Sequence, residues 1–220
     1  TLAYINMFGV LGTLENLCEI VPEASEIIKD QKPISIGFEV KGGPSATLFF
    51  KNGKCRMEQG CGACDVKLPF SSPEKFNGLI DGTVTPIPSK GFTHINFLLK
   101  KFTPLTDVLS KYMRASEEDL KDPVFFERST RLMLYTIGVA ISQIGNNDEI
   151  GKFSASHIID GSIFIGIKND IGVELVCKDN RLVTIKQAPE KYRAAMIFDS
   201  IETARALFDG KINALTCIGT

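Results

Sequence analysis

The chain spells one pattern twice. Phe70-Ser-Ser-Pro-Glu-Lys-Phe-Asn-Gly-Leu-Ile-Asp-Gly82 returns as Phe198-Asp-Ser-Ile-Glu-Thr-Ala-Arg-Ala-Leu-Phe-Asp-Gly210. Phe70 and Phe198, Gly82 and Gly210, and Gly91 and Gly219 all keep one spacing of 128 residues. An internal repeat fixes the architecture before any single motif does. This period is too long for a solenoid and matches two copies of one small domain, residues 1–115 and 116–220.

Both copies encode the same short helix. Ser71 and Asp199 stand as N-caps with Glu74 and Glu202 three residues on, the capping-box spacing. Phe76, Leu79 and Ile80 share one apolar face, as do Ala204, Leu207 and Phe208. Gly82 and Gly210 follow, where a left-handed C-cap favours glycine. Upstream, Ile34, Ile36, Phe38 and Val40 alternate with Ser35, Gly37 and Glu39, and Ile163, Ile165 and Ile167 do likewise. Period two predicts half-buried strands. Further strands are expected over Ala46–Phe50, Cys55–Glu58 and Val66–Phe70, and over Val173–Cys177, Arg181–Lys186 and Ala194–Phe198. Asn52-Gly53 and Asp179-Asn180 are hairpin turns. Copy two carries one extra residue between its hairpin and its last strand.

Each copy opens with a helix, one over residues 2–29 broken at Val21-Pro22, the other beginning near Asp122-Pro123 and running through Ile144. Clustered strands flanked by helices predict an α+β class: two tandem, mostly antiparallel sheets with helices packed on one face. After Gly91 the first copy is expected to add a last strand, Phe92 to Lys101, and a helix from Thr103 to Arg114. The second copy reaches Thr220 where that strand should start, so the natural C-terminus is expected to extend further.

Charge narrows the partners. Twenty-five basic residues face 26 acidic ones, a net charge of −1, with no basic surplus for nucleic acid. No apolar run reaches the length of a membrane span, so no integral membrane association is expected. Fifteen Phe, four Tyr and no Trp supply bulk without polar atoms. Six cysteines form no obvious disulfide framework, and the chain reads as cytoplasmic and reduced.

The ordered set Ile36–Val40, Leu48–Lys54, Asp65–Leu68, Phe76–Gly82, Lys90-Gly91 and Phe97-Leu98-Leu99 resembles the sterol carrier protein type 2 family, and Ile163–Gly219 repeats it. The resemblance implies a five-stranded, sterol-carrier-like sheet under helices, with an apolar tunnel between them that holds a lipid, fatty acid or acyl-CoA. Family members act as lipid carriers, fused binding modules or dimerisation domains. A long bridging helix around Leu132–Ile144 departs from a single-domain carrier.

The expected function is non-catalytic carriage of an apolar small molecule, with no cofactor and no metal. Its lining is assigned to Phe38, Val40, Leu48, Phe50, Met57, Phe76, Leu79, Phe97, Leu98 and Leu105. These same residues suit a filled core, and the alternative is a structural module that forms a homodimer. Cys61-Gly-Ala-Cys64 has the spacing of a redox couple or half a metal site, but it lies between two strands and copy two lacks it. It is ranked last and expected to be dispensable for folding. His94, placed in the expected last strand, and His157, in a polar loop, are the only histidines. No Ser-His-Asp or Cys-His arrangement, phosphate loop or dinucleotide fingerprint appears, so no enzyme activity is expected.

Overall fold

The computed structural model describes residues 1–213, so Cys217 and the Gly219 anchor lie outside the described residues. The fold is α+β. Two compact units divide between Arg114 and Ala115.

In the first unit, a sheet is built from β1 (Ile34–Val40), β2 (Ser45–Lys51), β3 (Lys54–Gln59) and β4 (Val66–Phe70) in the order β3-β2-β1-β4. In the second, β5 (Gly161–Ile167), β6 (Gly172–Lys178), β7 (Arg181–Ile185) and β8 (Ala194–Phe198) repeat that order as β7-β6-β5-β8. In both, two pairings are antiparallel and the last, β1 with β4 and β5 with β8, is parallel. The second sheet follows the first by 127 residues through its third strand. It follows by 128 at its fourth, where Ile36↔Val66 becomes Ile163↔Ala194. Same strand order and same register make the repeat structural.

Local chemistry sets the turns. Asn52 and Gly53, then Asp179 and Asn180, all hold positive φ, as a two-residue hairpin following the strand twist requires. α4 (Pro73–Ile80) and α9 (Ile201–Phe208) are capped by Ser72 and Ser200, whose hydroxyls accept from the N–H groups of Lys75 and Thr203. The expected caps, Ser71 and Asp199, lie one residue too early. Ser72 and Ser200 are the residues in extended backbone from which a hydroxyl reaches three residues ahead.

The parallel pairing forces a crossing. β3 and β4 both run parallel to β1, yet they lie on opposite edges of the sheet. The intervening chain must therefore pass across one face. It takes the outer face, away from the helices. Gly60 begins the crossing, with its N–H donating to Ser45 O at 2.8 Å and its carbonyl accepting from Thr47 Oγ1 at 2.9 Å. Asp65 ends it: its carboxylate accepts from Ser35 N and Oγ, both at 2.8 Å, and its N–H donates to Ser35 Oγ at 3.0 Å. Between these anchors the chain passes over Gly37, which pairs with Thr47 in β2.

The inner face is covered by helices. α1 (Leu2–Tyr4), a π-helical stretch (Ile5–Val10), a 3₁₀ turn (Leu11–Thr13) and α2 (Leu14–Ile20) run on to α3 (Pro22–Ile27). Phe38, Phe50, Phe70, Phe76, Phe97 and Phe102 form a contiguous aromatic core, with ring centroids 5.2 to 6.5 Å apart in edge-on or tilted contacts.

The expected last strand over Phe92–Lys101 is a helix. Lys90 makes a single antiparallel bridge to Lys67, the stub of a fifth strand. Gly91 then turns away at φ 85°, where an added Cβ would lie 2.3 Å from the Asp65 carbonyl oxygen. A 3₁₀ turn (Phe92–His94), α5 (Ile95–Phe97), a π-helical stretch (Leu98–Phe102) and α6 (Thr103–Met113) follow. Ile95, Leu98, Leu99 and Phe102 recur with helical period, which the strand reading passed over. Pro104 lacks an N–H, and the π-helical stretch before it accommodates the missing bond.

In the second unit, α7 (Pro123–Asn147), α8 (Glu149–Ala155) and α9 pack the sheet. Gly138 meets Val173 and Gly145 meets Leu182 closely enough that a methyl group at either would clash. Asn146 brackets the Leu182 backbone, donating to its carbonyl at 2.7 Å and accepting from its N–H at 2.9 Å. Ile165, Cys177 and Ala204 stand where the first unit has Phe38, Phe50 and Phe76. Among the described residues this unit has no counterpart of α5 and α6. β8 is exposed at four of five positions, where β4 is largely buried.

Two measurements follow. Gly91→Ala combines a left-handed backbone with a clash against a fixed carbonyl, and is expected to cost about 2 kcal/mol or more in urea unfolding. The hydrogen bonds from Ser35 hold the Asp65 carboxyl below the usual carboxylate range. Their stabilisation is therefore present above about pH 4 and lost as pH falls through the lowered value. Asp65 is solvent-exposed, so Asp65→Ala should cost only about 1 kcal/mol at pH 7. The gap between parent and variant should narrow in melts taken at progressively lower pH.

Candidate functional site

The Schellman end of α4 starts the site. Gly82, at φ 72°, donates to Leu79 O at 3.1 Å, and Thr83 donates to Gly78 O at 2.8 Å. The chain then runs through Val84-Thr-Pro-Ile-Pro88 without regular structure, its direction limited by two prolines. This segment stands away from the helical arm 95–114. Between them lies a cavity of about 580 Å³.

Its floor is apolar and buried: Leu11 from the opening helix, Leu68 from β4, and Phe102 and Leu109 from the arm. Leu79, Ile80 and Val84 form one wall, and Ile95, Leu98 and Leu99 the other. Ile95 is 44 % exposed and Leu99 64 %, so the mouth is apolar as well. Polar groups line the cavity as well. Arg114 donates to Asp81 Oδ1 at 3.3 Å, with both side chains mostly exposed, and Asp107 and Ser110 line the cavity on the same arm. Thr106 Oγ1 is already committed to the Thr103 carbonyl at 2.8 Å.

Of the ten residues assigned from sequence, Leu79 and Leu98 line this cavity. Phe38, Leu48, Phe50, Phe76 and Leu105 are fully buried, and Val40 and Phe97 nearly so. The four phenylalanines among them, Phe38, Phe50, Phe76 and Phe97, fill the space between sheet and helices with their rings. Met57 is half-buried on β3, with its sulfur against Gly12 of the opening helix and its N–H donating to Glu15 Oε1 at 2.6 Å. The cavity is thus displaced from the tunnel position toward the gap between α4 and the arm. Sequence reasoning missed Ile95, Leu99, Val84, Asp81 and Arg114. The signal for the first two was the helical period through Phe102, with Leu99 facing outward.

The other candidate groups stand apart from the cavity. His94 sits in an exposed 3₁₀ turn rather than a strand. His157 is exposed, its ring 4.6 Å from that of Phe153 and its Nδ1 2.8 Å from the Phe153 carbonyl. Among the described residues, no three His, Cys, Asp or Glu side chains are grouped to hold a metal ion. None of their helices is long and apolar enough to cross a membrane. No protein-family model matches this sequence, and no curated protein sequence matches it.

Proposed function

We propose that the first unit binds an apolar small molecule, a fatty acid or comparable lipid, in the cavity between α4 and the helical arm, and carries it without chemistry. The observation behind this reading is the cavity itself: about 580 Å³, apolar on floor, walls and mouth. That volume lies in the range of small-molecule sites. Each methylene moved from water to such walls contributes about 0.8 kcal/mol, so a dozen-carbon chain needs no charged partner to bind usefully. A polar end would rest where Asp81 and Arg114 meet. The resemblance of the strand and helix order to sterol carrier protein type 2 domains supports the same class of ligand.

A second reading has its own observation. The aromatic core under the sheet is filled, which suits an assembly module whose units pair rather than carry.

Titration with a fluorescent fatty acid separates the two. The carriage reading expects saturable uptake with one site per chain. Leu98→Trp, which fills the cavity from a half-buried position, should weaken uptake at least tenfold while the thermal midpoint moves little. No saturable uptake by the parent, or unchanged uptake by Leu98→Trp, overturns it. Concentration-dependent dimerisation in sedimentation, with no uptake, would establish the second reading in its place.

A further inference from the structure

The crossing segment of the first unit carries Cys61 and Cys64, and both side chains converge on one point. A Cβ built on Gly37 would lie 2.5 Å from Cys61 Sγ and 2.7 Å from Cys64 Sγ. The two sulfurs are therefore separated by no more than the sum of those distances. This convergence is built. Gly60 is tied to β2 and Asp65 to Ser35, so both ends of the segment are fixed. Lys90 Nζ donates to the Cys64 carbonyl at 2.5 Å, holding that peptide in place.

The second unit provides an internal comparison. Phe164 stands at the position of Gly37, and its ring stacks on Tyr192 of the longer crossing at 5.6 Å. A strand position that elsewhere carries a large ring is here empty of side chain, and two thiols occupy the space.

We infer that Cys61 and Cys64 form a reversible intramolecular disulfide, a redox modification site on the outer face of the first sheet, independent of the cavity. Accessibility sets the order of events. Cys61 is half-buried and reachable, whereas Cys64 is buried. With a low-molecular-weight disulfide such as glutathione disulfide as oxidant, the Cys61 thiolate attacks one sulfur. It forms a mixed disulfide and releases one glutathione thiolate. The Cys64 thiolate then attacks Cys61 Sγ, closing the protein disulfide and releasing the second glutathione. The protein loses two electrons and two protons, and the oxidant is reduced to two thiols.

The site is a slow one. Burial, then the neighbouring Cys64, pushes the Cys61 thiol above its ordinary range, and Lys67 opposes this only in part. A dithiol catalyst instead lowers the pKa of its attacking thiol. Exchange should therefore accelerate by about tenfold per pH unit from pH 7 toward the thiol pKa. Cys18 offers no rival, since burial and then Glu19 push it up to about 12.

The test is intact mass and peptide mapping of the whole chain after incubation with glutathione disulfide at pH 8, followed by dithiothreitol. The parent should lose two hydrogens, retain no glutathione on Cys61 or Cys64, yield a peptide joining Cys61 to Cys64, and revert on reduction. Cys64→Ser should trap one glutathione on Cys61. Gly37→Ala, which wedges a methyl group between the sulfurs, should raise the share of parent-like chains that retain glutathione. Should that variant fail to fold, the trapped adduct of Cys64→Ser and the linked peptide of the parent decide alone. A parent that keeps glutathione on Cys61 or Cys64, keeps both thiols reduced, or joins Cys61 to Cys55 overturns the assignment.

Discussion

Everything on the outer face follows from the pairing of β4 beside β1 in parallel. Once β1, β2 and β3 form a meander, β3 ends at one edge and β4 must begin at the other, pointing the same way. A hairpin cannot make that connection. Six residues, Gly60 to Asp65, carry the chain across β2 and β1 close to the sheet, with the Cys61 and Cys64 sulfurs directly over Gly37. That path leaves no height for a side chain beneath it, and Gly37 supplies none. The second unit meets the same constraint differently. Phe164 stands under the crossing, Tyr192 stacks on it, and the segment is longer. The inserted residue in the sequence is the extra chain needed to climb over a ring. One topological requirement thus explains a glycine, an insertion and the close approach of two thiols.

The opposite face is governed by aromatic volume. In the first unit, rings from β1, β2, β4, α4 and the helical arm fill the layer between sheet and helices. A filled layer leaves room only where two elements diverge, and that is where α4 ends and the proline-containing segment begins. The second unit places Ile165, Cys177 and Ala204 at the corresponding ring positions and keeps β8 exposed. One of its buried clusters joins Ala155, Cys177 and Leu182. Two copies of one topology therefore differ in the rings at these three matched positions.

Much of this was legible in the sequence, because local rules and the repeat acted together. Asn52-Gly53 and Asp179-Asn180 adopt the positive φ values their residue types favour. Gly82 and Gly210 end their helices in left-handed backbone. The strand order emerged twice with one register. The N-caps slipped by one residue because Ser71-Ser72 and Asp199-Ser200 each offer two capping side chains in a row. The Phe92–Lys101 segment was misread because the stub at Lys90 does begin a fifth strand before Gly91 turns away. The cavity was assigned to the right residue types but largely the wrong positions. Periodicity says which side chains face inward and cannot say whether their volumes meet. Phe38 and Phe50 meet Phe102, whereas Leu79 and Leu98 face open space.

The crossing also orders events in time. The β1–β2–β3 meander closes through two local turns, whereas β4 pairs only through the longer crossing, so loop-closure entropy favours the meander first. Until then, β1 is not a central strand at all. It is an edge, with Ile34, Ile36, Phe38 and Val40 in a row and a full set of backbone donors and acceptors open to any other extended chain. Gly60 to Asp65 is therefore the segment that turns a sticky border into an interior, and each unit must complete that step for itself.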